Sequence, residues 1–118
     1  MSSTSERALE RIEAVVARAD DADTILRDVV EALHADMGYA WAGILFVEAD
    51  TLALGPEAGT PDASRRSTVA VSWNGARVAE LAVDDAPEED RMFLERVAEL
   101  VADHCLVGWD TGGESWEP

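Results

Sequence analysis

Lysine is absent from this chain, cysteine occurs once and histidine twice. All nine basic residues are arginine, set against 25 acidic ones for a net charge of −16. Nucleic-acid affinity comes largely from Lys and Arg neutralising phosphates, so this balance argues against DNA and RNA as partners. The acidic, lysine-free composition fits a high-GC genome and a high-salt cytoplasm equally. Only the second predicts unfolding at low ionic strength through charge self-repulsion. A lone cysteine, Cys105, permits no internal disulfide, and its helical spacing from Val101 and Ala98 marks it as a buried apolar side chain. Zinc needs three or four N or S ligands at characteristic spacing, so His34 and His104 define no metal site. His34 reads as a helix-end residue; His104 reads as a surface residue, with a dimer seam as its alternative.

Other absences narrow the class further. No apolar run approaches the ~18 residues of a membrane span. The N-terminal MSSTSERALERIE has no basic stretch followed by an apolar one, so no secretory leader is expected and a cytoplasmic location follows. Gly55 and Gly59 lack the helix-opening context and lysine of a phosphate loop, and no Ser-His-Asp spacing is present. Asp20, Asp21 and Asp23 lack EF-hand spacing and read as solvated helix caps. Asp84, Asp85, Glu88, Glu89 and Asp90 read the same way. No internal repeat, low-complexity tract or linker interrupts the chain.

What is present predicts one α+β domain over residues 1–108, with an acidic tail at 109–118. At 118 residues, 47% of them hydrophobic, the chain is long enough to bury a modest core. Ser3 with Glu6 has capping-box spacing, and Leu9, Ile12 and Val16 recur at helical intervals, so a first helix is expected over Thr4–Arg18. Ile25, Leu26, Val29, Val30, Leu33 and Met37 form a wider stripe ended by Gly38, marking the second helix as the better buried.

Strand side chains alternate, so Trp41, Gly43, Leu45 and Val47 fall on one face and Ala42, Ile44 and Phe46 on the other. Both sets are apolar, which predicts a central strand covered on both sides. Glu48-Ala49-Asp50 turns the chain, Thr51–Leu54 returns, and Gly55-Pro56 should stop the ladder because Pro has no N–H. Pro56 to Arg66 then reads as a loop. Val69, Val71 and Trp73 give the next strand a core face, with Ala79, Leu81 and Val83 on its return across Asn74-Gly75, a type I′ hairpin signal. Ala70, Ser72, Val78, Glu80 and Ala82 fall on the opposite, small or polar face. Asp85 with Glu88 caps a last helix running through Phe93, Leu94, Val97 and Val101 to a stop at Gly108. Trp109 and Trp116 stand in the tail, either folded back or docked on a partner.

The hairpin Trp-Ala-Gly-Ile … Leu-Ala-Leu-Gly-Pro-Glu-Ala-Gly, within Tyr39–Gly59, resembles that of the free methionine-R-sulfoxide reductases of the GAF family. The GAF element order extends the resemblance over roughly residues 5–108. It implies an antiparallel sheet of about four to five strands, with N- and C-terminal helices together on one face and mediating dimerisation. The opposite face would form a pocket roofed by the segment after the second strand. Here only about ten residues separate Gly55 from Ser67. The roof cysteines of the reductases are also missing, with Thr60, Pro61, Asp62 and Ala63 in their place.

The expectation is therefore a non-catalytic, dimerising sensory or regulatory module without cofactor or metal. A small ligand would contact Trp41, Gly55, Pro56, Ser72 and Glu80, although solvent exposure for Glu80 and a core position for Trp41 are the plainer readings. A homodimer would form through Leu9, Ile12, Val16, Val101 and His104. Two alternatives stand beside it: a protein-interaction module that has lost its pocket, and a reductase-like enzyme. Neither nucleic acid nor membrane is an expected partner.

Overall fold

The computed structural model describes residues 3–18, 21–48 and 51–106. Helix α1 spans Ser3–Val16 and α2 Ala22–Met37; strands β1 (Trp41–Glu48), β2 (Thr51–Gly59), β3 (Arg66–Trp73) and β4 (Ala76–Asp84) follow, and α3 covers Arg91–Val101. The four strands form one antiparallel sheet in the order β2-β1-β4-β3. The fold is α+β, with the helices on one side of the sheet. Among the described residues no helix is long and apolar enough to cross a membrane.

Local chemistry sets most boundaries. The Asp21 side chain accepts the Thr24 amide proton at 2.8 Å and caps α2, and Gly38 closes the helix in the left-handed conformation. Asn74 and Gly75 both take positive φ, as a type I′ turn requires. The core lies between sheet and helices, where Ile25, Leu26, Val29 and Leu33 of α2 and Leu94, Val97 and Val101 of α3 meet Ile44, Val71 and Leu81. Fully burying a side chain of this size contributes roughly 1.5–3 kcal/mol. Cys105 belongs to this core, as its spacing predicts.

The structure departs from the sequence reading where strand pairing overrides local pattern. Strand β2 does not stop at Gly55-Pro56 but runs on to Gly59. One extra residue bulges where the β1 partner register shifts between Gly43 and Leu45. A proline is tolerated because β2 is an edge strand, where one missing ladder N–H costs little. A second register shift leaves Val78 without a cross-strand partner and turns it into the core, away from the polar face that simple alternation assigns it. Trp73 is 41% exposed and not core, because the hairpin tip carries it beyond the helices.

The helix layer differs as well. Helix α2 packs on β1 and β2, α3 packs on β3, and α1 lies mainly on α2 and α3. Strand β1 is central, yet helices cover only one of its faces. Asp85 does not cap α3: with φ of 67° it turns the chain after β4, its amide bonds the Arg65 carbonyl, and its carboxylate pairs with Arg65 at 2.6 Å. A short helical turn at Glu88–Asp90 precedes α3. The expected stop at Gly108 and the Trp-bearing tail lie outside the described residues.

Candidate functional site on the open sheet face

The sheet face turned away from the helices carries the unusual chemistry. Pairing aligns Gly59, Trp41, Asp84 and Arg66 in one row across all four strands, and Glu57, Gly43, Ala82 and Thr68 two positions on. Leu54, Leu45, Glu80 and Ala70 make the next row on this face. Residues directly opposite in antiparallel strands point to the same side, so register alone assembles the cluster.

Asp84 is fully buried, the only buried charged side chain among the described residues. Arg66 grips it with two bonds, Nε–H to Oδ1 at 2.7 Å and an Nη2–H to Oδ2 at 3.0 Å. The Asp62 amide also donates to Oδ2, tying the 60–65 connector over this end of the sheet. The Arg66 guanidinium beside Asp84 holds its carboxyl below the usual range; burial opposes this and the Asp62 amide reinforces it. The pair raises Arg66 in turn. Asp84 is thus a poor proton acceptor and a strong cation partner.

Arg66 also stacks over the indole of Trp41, 4.2 Å from the ring centroid. The indole lies flat over Gly43, where an added Cβ would come within 2.5 Å of Cζ2 and 2.6 Å of Cη2. Its Nε1–H donates to Glu57 Oε1 at 2.8 Å. Only 2% of Trp41 is exposed, against 28% of the Arg66 side chain. The guanidinium thus bridges a buried indole and a buried carboxylate and is the accessible member of the three.

The predicted ligand residues separate on this frame. Trp41 sits at the centre. Glu80 shares the face two rows beyond, half-buried, and pairs with Arg77 at 2.8 Å. Gly55 packs against the Phe46 ring with no room for a side chain, and Pro56 is buried beside it within β2. Both are strand residues, not parts of a ligand loop. Ser72 is exposed on the edge strand β3, opposite Arg77, and also lines a groove between β3 and α3. Arg66 falls in the stretch read as a loop, and Asp84 in the run read as solvated caps; neither reading survives. The signal available in sequence was the phase of Asp84 with Glu80 and Ala82.

The remaining candidates lie within the helix layer or at its ends. His34 Nδ1–H donates to the Tyr39 carbonyl at 2.8 Å, joining the end of α2 to the start of β1. Ile12 and Val101 are fully buried in the protomer core and offer no surface to a second copy, while Leu9 and Val16 are half-buried. His104 Nε2 lies 3.3 Å from the Val16 carbonyl of its own chain. Burial, then the nearby Asp103 charge, pushes the Cys105 thiol up to about 12. Tyr39 is likewise raised by burial and by its hydroxyl donating to Asp90 at 2.8 Å. Among the described residues no cluster of three or more His, Cys, Asp or Glu could hold a metal ion.

Solved structures share this backbone. The chain superposes on the GAF domain of the Acinetobacter phosphoenolpyruvate-protein phosphotransferase with a TM-score of 0.76 at 11% identity, covering 99% of this chain and 100% of that one. It superposes on the free methionine-R-sulfoxide reductase of Neisseria meningitidis, solved with its substrate, with a TM-score of 0.74 at 18% identity, covering 89% and 92%. The corresponding domain from Coxiella burnetii gives 0.75 at 12% identity, covering 94% and 98%. No protein-family model matches the sequence, and no curated protein matches it. The fold is therefore GAF-like, a scaffold that these neighbours use both in phosphotransferase domains and in reductases.

Proposed function

We propose that this chain is a non-catalytic regulatory module that binds a small cationic ligand on its open sheet face, at Trp41, Glu57 and Asp84. One observation carries the reading: a carboxylate is fully buried beside a guanidinium that stacks on a buried tryptophan, on a face that a solvated polar surface would serve equally well. Burying a charge is costly unless it is paired, so such a site persists where a cation is meant to occupy it. In the resting chain Arg66 fills that place. An ammonium or guanidinium ligand would displace it, gaining the Asp84 carboxylate and the Trp41 face.

Displacement has a route outward. Asp84 also holds the Asp62 amide, and the adjoining Asp85 holds Arg65, so exchanging its partner loosens the 60–65 connector. The Ala86–Asp90 segment leads from there into α3. A ligand that favours one arrangement shifts the population, and helices α1 and α3 of a homodimer would register the change through Leu9, Val16 and His104.

Against a reductase reading, the single thiol lies in the helix-side core, and its raised pKa leaves almost no thiolate at neutral pH. A protein-interaction reading has a specific support: Leu52 and Leu54, 41% and 51% exposed, extend the open face beside Leu45 and Val47. A thermal-shift screen of amines, guanidines, amino acids and methionine sulfoxide separates these readings. Saturation at ~100 times the dissociation constant adds about 2.7 kcal/mol. Stabilisation by cationic compounds that disappears in Asp84→Asn supports the proposal; a flat screen on folded protein favours the interaction module.

A further inference from the structure

The two edges of the sheet are built differently. Strand β2 carries Pro56 and a bulge at Gly55-Pro56, both devices that spoil pairing with another strand. Strand β3, the opposite edge, has eight residues and no proline, and its backbone leaves one row of N–H and C=O groups unpaired among the described elements. Alongside it runs a groove. Helix α3 travels in the same direction as β3, so that Arg91 stands near Ser67 and Glu99 near Ser72. Two adjoining cavities of about 270 and 360 Å³ fill the space between them, sharing Val69 and Arg91.

The groove has an apolar floor and an acidic wall. Val69, Leu94 and Ala98 are nearly buried along its base. Three carboxylates, Glu88, Glu95 and Glu99, line it with one guanidinium, Arg91; Glu95 pairs with Arg91 at 3.3 Å and Glu99 with Arg96 at 3.2 Å. Glu95 and Glu99 keep 50% and 70% of their side chains exposed.

The geometry points to β3 and this groove as a docking site for an extended, basic segment of a partner protein, added to the sheet as a fifth strand. Main-chain bonds to a free edge provide affinity, and alternate side chains entering a flanking groove provide selectivity. Apolar side chains of the segment enter over Val69 and Ala98, and Lys or Arg flanks meet Glu95 and Glu99. A second copy of this chain is the poorer occupant of this groove, because it would set one wall of Glu88, Glu95 and Glu99 against another. The site is separate from the Trp41 cluster and does not depend on it.

The test uses the whole chain and an eight-residue peptide of alternating Val and Lys, followed by amide NMR and fluorescence anisotropy. Docking predicts shifts and slowed exchange at the β3 amides of Ser67–Ser72, with Gly43 and Leu54 on the other strands unmoved. Glu95→Arg with Glu99→Arg, both on the exposed helix face, should weaken binding on the order of tenfold or more. Two control peptides complete it. A Val-Glu peptide should not bind, and one with proline at alternate positions should lose the β3 shifts. Equal binding of the proline peptide would reduce the effect to charge attraction and overturn the proposal. So would shifts centred on the open face, or no shift at β3 with the folded spectrum intact.

Discussion

Replacing Arg66 by Met removes the partner of Asp84 while keeping an aliphatic stem over Trp41. Losing one member of a buried ion pair costs about 3–5 kcal/mol, because the remaining charge is stranded. Two features lower that figure. Arg66 is 28% exposed, so water can reach part of the site, and Asp84 keeps the Asp62 amide. The expected loss is about 2–3 kcal/mol, and at about 4 °C per kcal/mol for a chain of this size Tm should fall by roughly 8–12 °C. Asp84→Asn added to Arg66→Met should recover part of the loss, since the amide oxygen still accepts the Asp62 proton and no buried charge remains.

The same pair fixes the pH dependence. The folded Asp84 value is depressed, so its stabilisation is complete above the unfolded value near 3.9 and disappears as pH falls through the lower folded one. Urea unfolding should therefore show a gap between the native chain and Arg66→Met that is full at pH 7 and closes below about pH 4. A loss under about 0.5 kcal/mol at pH 7, or a gap unchanged at pH 3, refutes the account of a stranded buried carboxylate.

Gly43→Ala should lift the indole off the sheet, because the new Cβ meets Cζ2 and Cη2 at 2.5–2.6 Å. An overpacking cost of about 1–3 kcal/mol and altered near-ultraviolet dichroism are expected, and an unchanged spectrum would show that the ring does not lie there. Cys105, pushed up to about 12, should resist iodoacetamide in the folded chain at pH 8 and react only with denaturant present. Rapid native alkylation would place the thiol outside the core.

Helices, turns and the main apolar faces were legible in the sequence because their causes are local. The stripe from Ile25 to Met37, the cap at Asp21, the stop at Gly38 and the Asn74-Gly75 turn each depend on residues a few positions apart. Trp41 was legible as a residue of interest, but its partners were not. Arg66 and Asp84 lie 18 positions apart in chain order, and they meet only because β3 and β4 pair in one particular register. Local pattern placed Arg66 in a loop and Asp84 among helix caps, since a pattern of neighbours carries no information about which strands pair.

Tertiary pairing also decided the bulges. An extra residue at Gly55-Pro56 carried β2 onward to set Glu57 against the Trp41 indole, and another turned Val78 inward. Tertiary position, not polarity, left Trp73 exposed at the hairpin tip. Composition and periodicity determined an acidic α+β fold with a helix-covered sheet. Strand register alone decided that the other face would hold a buried carboxylate in one row with a tryptophan and an arginine, because side chains distant in sequence interact only where the ladder aligns them.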